Sequence, residues 1–199
     1  MSATVPEDPR ALVLVGPMGA GKTAVAHAYA DLTGAEFVDL DQRIAAAHGP
    51  IPEIFAKGGE AAFRSAETEV LRAALAETGT VISAGGGIVH SQRNRDLLAG
   101  AFVVFLSIDQ ATARGRIRDA QSRPMLAGGD PMQVWQRILD ERLPLYTAAA
   151  TEIVDARSDT PEELAAQIAT SYAMSTYSPT EASTSEAHEP RAEQERSAR

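Results

Sequence analysis

The sequence predicts an α/β domain, a parallel sheet covered by helices on both faces. Three observations carry that expectation. Short β-branched runs alternate with longer segments of helical period, the pattern of βαβ units. The first run, ALVLV, is wholly apolar, as a central strand covered on both sides has to be. The length of 199 residues, 44% of them hydrophobic, suffices for one core of ordinary size and hardly for two.

Five runs read as strands: Ala11 to Val15, Glu36 to Leu40, Thr80 to Ser83, Phe102 to Ile108 and Glu152 to Val154. A helix is expected over Thr23 to Leu32, with Gly34 placed to end it as a C-cap. Between the second and third strands, Glu60 to Ala76 spaces Ala61, Phe63, Val70, Leu71 and Leu75 at about helical period, and Gly79 follows as a stop. Asp119 to Pro131 is rich in Gly, Asp and Pro between two helical patterns, and a polar loop of that length in a small domain reads as a lid. Thr160-Pro161-Glu162-Glu163 joins a capping box to a proline at the first helical position, opening a last helix that runs to about Tyr172. No internal repeat of solenoid period is present. The expected division is a disordered N-terminus over 1–10, one domain over 11–174 and a disordered acidic tail over 175–199, whose Ser, Thr, Glu and Ala cannot bury enough apolar area to offset ordering.

Charge and composition exclude several functions. The 18 basic and 27 acidic residues leave a net charge of −9, which argues against nucleic acid or an anionic membrane as partner. Any anion site must therefore be local, and Lys22 and Lys57 are the only lysines that could serve it. The absence of cysteine removes disulfides, thiolate zinc sites and Cys nucleophiles, in keeping with a cytoplasmic protein. The segment MSATVPEDPR has no basic n-region and ALVLV is too short for a signal or a membrane span, so an unexported, soluble protein is expected.

The strongest chemical signal is Gly16-Pro17-Met18-Gly19-Ala20-Gly21-Lys22-Thr23, a match to G-x-x-x-x-G-K-[ST] between an apolar strand and a helix. Gly16 and Gly21 permit the tight turns, and the backbone N–H groups of Met18, Gly19 and Ala20 form a nest for phosphate ahead of a helix N-terminus. Lys22 reaches β- and γ-phosphates, and the Thr23 hydroxyl is a hard-oxygen ligand for Mg²⁺. The second strand ends in Asp39-Leu40-Asp41, at the sheet edge where ligands bind in open α/β folds. Two acids there can divide metal binding from proton acceptance, although an acid in that place also serves as a helix cap. The third strand runs into Gly85-Gly86-Gly87, where backbone can approach a ligand closely. Arg64 could merely pair with Glu60 at i,i+4, and Arg142 invites the same caution, whereas Arg123 lies within the lid stretch.

Together GPMGAGKT, VDLD, IFAKGGEAAFRSAE, SAGGGIV, RPML and ERLPLY, in that order between about Leu12 and Tyr172, closely resemble the shikimate kinases, small members of the P-loop nucleoside-monophosphate-kinase-like group. The resemblance implies a three-layer P-loop kinase fold, with a five-stranded parallel sheet in the order 2-3-1-4-5, a substrate-binding insertion over about 41–70 and a lid over about 119–131. It implies transfer of the γ-phosphoryl of ATP to the 3-hydroxyl of shikimate, with Mg²⁺, by a monomer serving aromatic amino-acid biosynthesis. By the same likeness Asp39 and Thr23 would hold magnesium, Asp39 through water. Asp41 would take the acceptor hydroxyl, and Arg64 and Arg142 would clamp the shikimate carboxylate, for which a guanidinium fork is well shaped. Gly86 and Gly87 would contact substrate, with Phe55, Phe63 and Glu67 as neighbours. Arg123 would enter from the lid, and Arg116 with Ser158 to Pro161 would border the adenine.

The chain departs from the family in three places. Only Pro50 separates Gly49 from Ile51, where members carry a further Ser or Thr that caps a helix. The lid reads RPML instead of RPLL, a nearly volume-conserving exchange. The tail after Met174 has no family counterpart. Two other functions match part of the pattern. Another small-molecule kinase, such as a gluconate kinase, has no need of two arginines beside a triple glycine. A nucleotide-binding regulatory module without catalysis should lack Lys22, Asp41 or Arg123, and all three are present.

Overall fold

The computed structural model describes residues 10–117 and 130–176. Parallel strands β1 (Leu12–Val15), β2 (Glu36–Asp39), β3 (Thr80–Ser83), β4 (Phe102–Ser107) and β5 (Glu152–Asp155) stand in the order β2-β3-β1-β4-β5, the order that the family resemblance implied. In the middle, β1 pairs Leu12 with Val81 of β3 on one side and with Phe102 of β4 on the other. Alternation along β1 feeds two cores. Leu12 and Leu14 join Tyr29, Trp135, Ile168 and Tyr172, while Val13 and Val15 join Ile44, Phe63, Leu71 and Tyr146 on the opposite face. Each such fully buried aliphatic side chain contributes roughly 1.5–3 kcal/mol, which is why a run without polar residues sits at the centre.

The helices are α1 (Lys22–Thr33), α2 (Leu40–His48), α3 (Ile51–Leu75), α4 (Gln92–Leu98), α5 (Gln110–Arg116), α6 (Pro131–Ala149) and α7 (Pro161–Thr176), with a 3-10 turn at Ile88–His90. Gly34 ends α1 at φ 80°, its N–H donating to Ala30 O, as its place in the sequence predicts. The capping box also forms: Thr160 N–H donates to Glu163 Oε2 at 2.8 Å and Glu163 N–H to Thr160 Oγ1 at 3.2 Å.

Several boundaries differ from expectation. β2 ends at Asp39, one residue before the predicted end, and the chain turns helical at Leu40, because the Asp39 carboxylate accepts the Gln42 N–H at 3.0 Å and caps α2. The helix expected from Glu60 is the second half of α3, which breaks at Gly59 (φ 67°, ψ −165°). Its first half starts at Ile51 without a side-chain cap, and the Pro50 carbonyl accepts the N–H groups of Glu53 and Ile54 instead. At the C-terminus α7 continues beyond Tyr172 through Ser175 and Thr176, so the first two residues of the expected tail are helical. Ser175 Oγ accepts from Arg10 Nη2 at 3.1 Å, tying the ends of the described chain together. The rest of the tail, the N-terminal nine residues and nearly all of the lid stretch, Arg123 included, lie outside the described residues. No helix among the described residues is long and apolar enough to cross a membrane.

Candidate active site

Because the strands are parallel, their carboxyl ends share one edge, and a cavity of about 530 Å³ opens there. The loop from β1 to α1 forms its floor. Gly16, Gly19 and Gly21 have φ of 146°, 86° and 90°, and a Cβ on Gly16 would lie 2.6 Å from Leu106 O, so the loop can leave β1 beside β4 only with glycine there. Lys22 Nζ donates to Gly16 O at 2.9 Å and Pro17 O at 3.0 Å. Burial lowers its pKa to about 8, against the opposing pull of Asp41. Thr23 Oγ1 lies 3.2 Å from Ser83 Oγ, at the end of β3. Arg116 Nη1 meets Gly19 O and Ala20 O, both at 3.4 Å, and its Nη2 donates to Ala156 O at 2.8 Å. It thereby joins the loop after β1 to the start of the segment carrying Ser158 and Pro161.

Asp39 and Asp41 both line the cavity, Asp39 while capping α2. The Asp41 carboxyl is held above its ordinary pKa, first by desolvation and then by the Asp39 charge, while Lys22 and Arg64 pull it down. Opposite them the glycine turn meets one functional side chain after another. A Cβ on Gly85 would lie 2.9 Å from Asp41 Oδ1, one on Gly86 would lie 3.6 Å from Arg142 Nη1, and one on Gly87 would lie 2.8 Å from both Arg64 Nη1 and Nη2. Side-chain-free positions at Gly85 and Gly87 therefore let Asp41 and Arg64 pack against this turn, whereas a Cβ at Gly86 would meet Arg142 at ordinary contact distance.

Arg64 forms the expected pair with Glu60 and also reaches the glycine turn. Nη2 pairs with Glu60 Oε1 at 3.2 Å, and Nη1 donates to Glu67 Oε2 at 2.9 Å and reaches Gly87 O at 3.4 Å. Glu67 is almost wholly buried, and burial raises its pKa against the stabilising Arg64 charge; Asn94 Nδ2 also donates to it, at 3.2 Å. Phe55 stacks on Phe63 at 4.8 Å beside this group. Arg142 comes from α6, itself buried, with Nη1 donating to Gly86 O at 3.0 Å and Nε to His90 Nε2 at 3.1 Å. Gly87 has an ordinary φ of −94°, so Gly87→Ala should fold with a melting temperature near that of the parent. Its methyl group should nonetheless push the Arg64 guanidinium aside and weaken binding of an anionic substrate about tenfold, as titration of the two proteins would show.

Met18, Gly19, Gly21, Lys22, Thr23, Asp39, Asp41, Gly86, Gly87 and Arg142 thus line one cavity. Gly16 and Ala20 support the loop from behind, and Arg64 and Arg116 reach its walls through backbone carbonyls. Four further residues escaped the sequence reading as site residues. Trp135 Nε1 donates to Met18 O at 2.9 Å, the Tyr146 hydroxyl donates to Gly86 O, Ser83 faces Thr23, and His90 holds Arg142. The one available signal was helical spacing, since Trp135 and Tyr146 lie seven residues before and four after Arg142.

A family model for shikimate kinase matches residues 18–173. The chain is 44% identical over 158 residues to a shikimate kinase of Salinispora arenicola, a span covering 79% of this chain and 94% of the relative. It is 46% identical over 140 residues to that of Saccharopolyspora erythraea, covering 70% and 80%. A solved structure of shikimate kinase from Acinetobacter baumannii in complex with shikimate superposes with a TM-score of 0.79 at 34% identity, over 85% of this chain and 96% of that one. A gluconokinase from Sinorhizobium meliloti, at 19% identity and a TM-score of 0.53, shares the fold alone. On this sequence match and this architecture, the chain belongs to the shikimate kinase family.

Proposed function

We propose that this protein transfers the γ-phosphoryl of ATP to the 3-hydroxyl of shikimate, giving shikimate 3-phosphate and ADP. The observation that carries the reading is the glycine turn at 85–87. It lies against Asp41 and Arg142, which line the cavity whose floor holds Lys22, and against Arg64, which meets the turn at Gly87. An acid for a hydroxyl, a cation for transferring phosphate and a paired-arginine receptor for a carboxylate are what this reaction needs. The complex of the Acinetobacter baumannii relative supports shikimate as the acceptor.

The residues present fit magnesium. Thr23 and Asp39 place a hydroxyl and a carboxylate in the same cavity, hard oxygen donors of the kind magnesium takes beside waters and nucleotide oxygens. When bound there, the ion neutralises charge on the β- and γ-phosphates. The loop N–H groups of Met18 to Gly21 and the Lys22 ammonium bind the phosphates, and Arg116 with Ser158 and Pro161 borders the base. Asp41 Oδ1 accepts the proton of the shikimate 3-hydroxyl as that oxygen attacks phosphorus, the bond to the ADP oxygen breaking on the far side. Arg64 and Arg142 hold the carboxylate, and Gly86 and Gly87 bring backbone against the ring. Arg123 enters from the lid to meet charge on the transferring group. The same proposal includes a monomer acting in the cytoplasm, without nucleic-acid or membrane partners, and one domain from 11 to the end of α7 with insertion, lid and tail.

ADP release measured with shikimate, with gluconate and without acceptor tests the reading: release that does not depend on shikimate would refute it. Arg142→Ala tests the clamp. The carboxylate carries the same charge before and after transfer, so the loss should fall on KM, on the order of 2–3 kcal/mol, with kcat little changed. An analogue without the carboxylate should be handled about equally by parent and variant. Equal losses on both substrates would make Arg142 structural.

A further inference from the structure

The clamp arginine has a second support that the reaction itself does not require. Arg142 Nε donates to His90 Nε2 at 3.1 Å. An imidazole nitrogen accepts only while it carries no proton, so this contact needs neutral His90 in the tautomer protonated at Nδ1. The ring stands on a fixed base. His90 closes the 3-10 turn that follows the glycines, its own N–H donates to Gly87 O at 3.0 Å, and its carbonyl accepts from Arg95 Nη1 at 2.9 Å. One short turn thus carries both Gly86, whose carbonyl takes Arg142 Nη1, and His90, which takes Nε. Two contacts on different edges of a planar guanidinium set its plane.

We propose that His90 is a positioning residue for the carboxylate clamp: neutral, it orients Arg142 toward shikimate, and protonated, it releases that arginine and weakens shikimate binding. The inference rests on the proposed reaction. The charges facing His90 favour the neutral form. Arg142 and Glu141 face it from α6, Arg64 and Glu60 from α3, and Arg95 from α4. Desolvation first, then Arg142 and Arg64, lower its pKa below the usual imidazole value, and Glu60 and Glu141 only partly oppose them. Protonation would remove an acceptor and place a third cation beside two guanidiniums.

The test compares the wild type with His90→Gln, whose side-chain carbonyl accepts at every pH, and with His90→Leu, which cannot accept. KM for shikimate, KM for ATP and kcat are read from pH 8 to 5.5. At pH 8 the glutamine variant should keep the wild-type KM for shikimate within about twofold, while leucine raises it about five- to tenfold, kcat and KM for ATP staying near wild type. As pH falls through the His90 pKa, the wild-type KM for shikimate should climb relative to the glutamine variant, toward that of the leucine variant, a limb that both variants lack. Effects of pH on ATP, Asp41 or shikimate itself are common to all three proteins and cancel in that ratio. In an Arg142→Ala background, His90→Leu should add nothing. A leucine variant equal to wild type, a flat ratio, or a wild-type KM that falls in acid would overturn the proposal; the last would mean that protonated His90 binds the carboxylate directly. Should the leucine variant not fold, the glutamine ratio decides by itself. A wild type without shikimate-dependent ADP release would refute the reaction, whereas an active wild type whose ratio stays flat refutes only the role of His90.

Discussion

Lys22→Ala is expected to lower phosphoryl transfer at least about a hundredfold, on the order of 3 kcal/mol, with the circular dichroism spectrum unchanged. Among the described residues the ammonium donates to the carbonyls of Gly16 and Pro17, and the lysine belongs to neither core, so its loss removes a charge without emptying either core. Its lowered pKa adds a second signature. Burial lowers the Lys22 pKa to about 8 in the folded protein, whereas the unfolded chain keeps the proton to about the ordinary lysine value of 10.5. The unfolded state therefore binds more protons between those values, and the Lys22 contribution to stability increases as pH rises from 8 to 10.5. Phosphate favours the charged form, so ATP binding takes up a proton above pH 8 and KM for ATP should climb there. Activity near wild type in a folded Lys22→Ala protein would show that the loop is not the phosphate site.

Asp41→Asn should lower kcat about a hundredfold or more with little change in ATP binding, because shape is kept and the proton acceptor is lost. The raised pKa of Asp41 predicts that activity fades as pH falls through a value above the ordinary carboxylate one of 3.8. Asp39→Asn should behave differently. Asparagine caps a helix as well as aspartate does, so the start of α2 should survive while the magnesium requirement rises. Titration of both variants with Mg²⁺ checks the assignment. Rescue of Asp41→Asn, but not of Asp39→Asn, by excess metal would reverse the two roles.

The contrast between Asp39 and Asp41 shows where sequence reasoning reaches its limit. Features whose partners lie within a few residues were legible: the capping box at Thr160 and Glu163, the left-handed Gly34 after α1, the glycines of the phosphate loop, and the wholly apolar first strand. Each is decided by local backbone geometry and by the period of apolar side chains, both of which are written in consecutive residues. The family resemblance added the strand order and the cluster of site residues, because spaced motifs carry tertiary information that period alone does not. Where two local outcomes were compatible, folding kept both: Asp39 caps α2 while lining the cavity, and Arg64 pairs with Glu60 while reaching Gly87 O. The pairings that hold the site rigid were decided only by the tertiary structure. Trp135 meets Met18 across 117 positions, Arg116 meets Gly19 across 97, Tyr146 meets Gly86 across 60 and Arg142 meets His90 across 52. A donor's sequence neighbours do not reveal which distant carbonyl or ring nitrogen it will reach, because that follows from how α5 and α6 pack on the sheet after their apolar faces are buried.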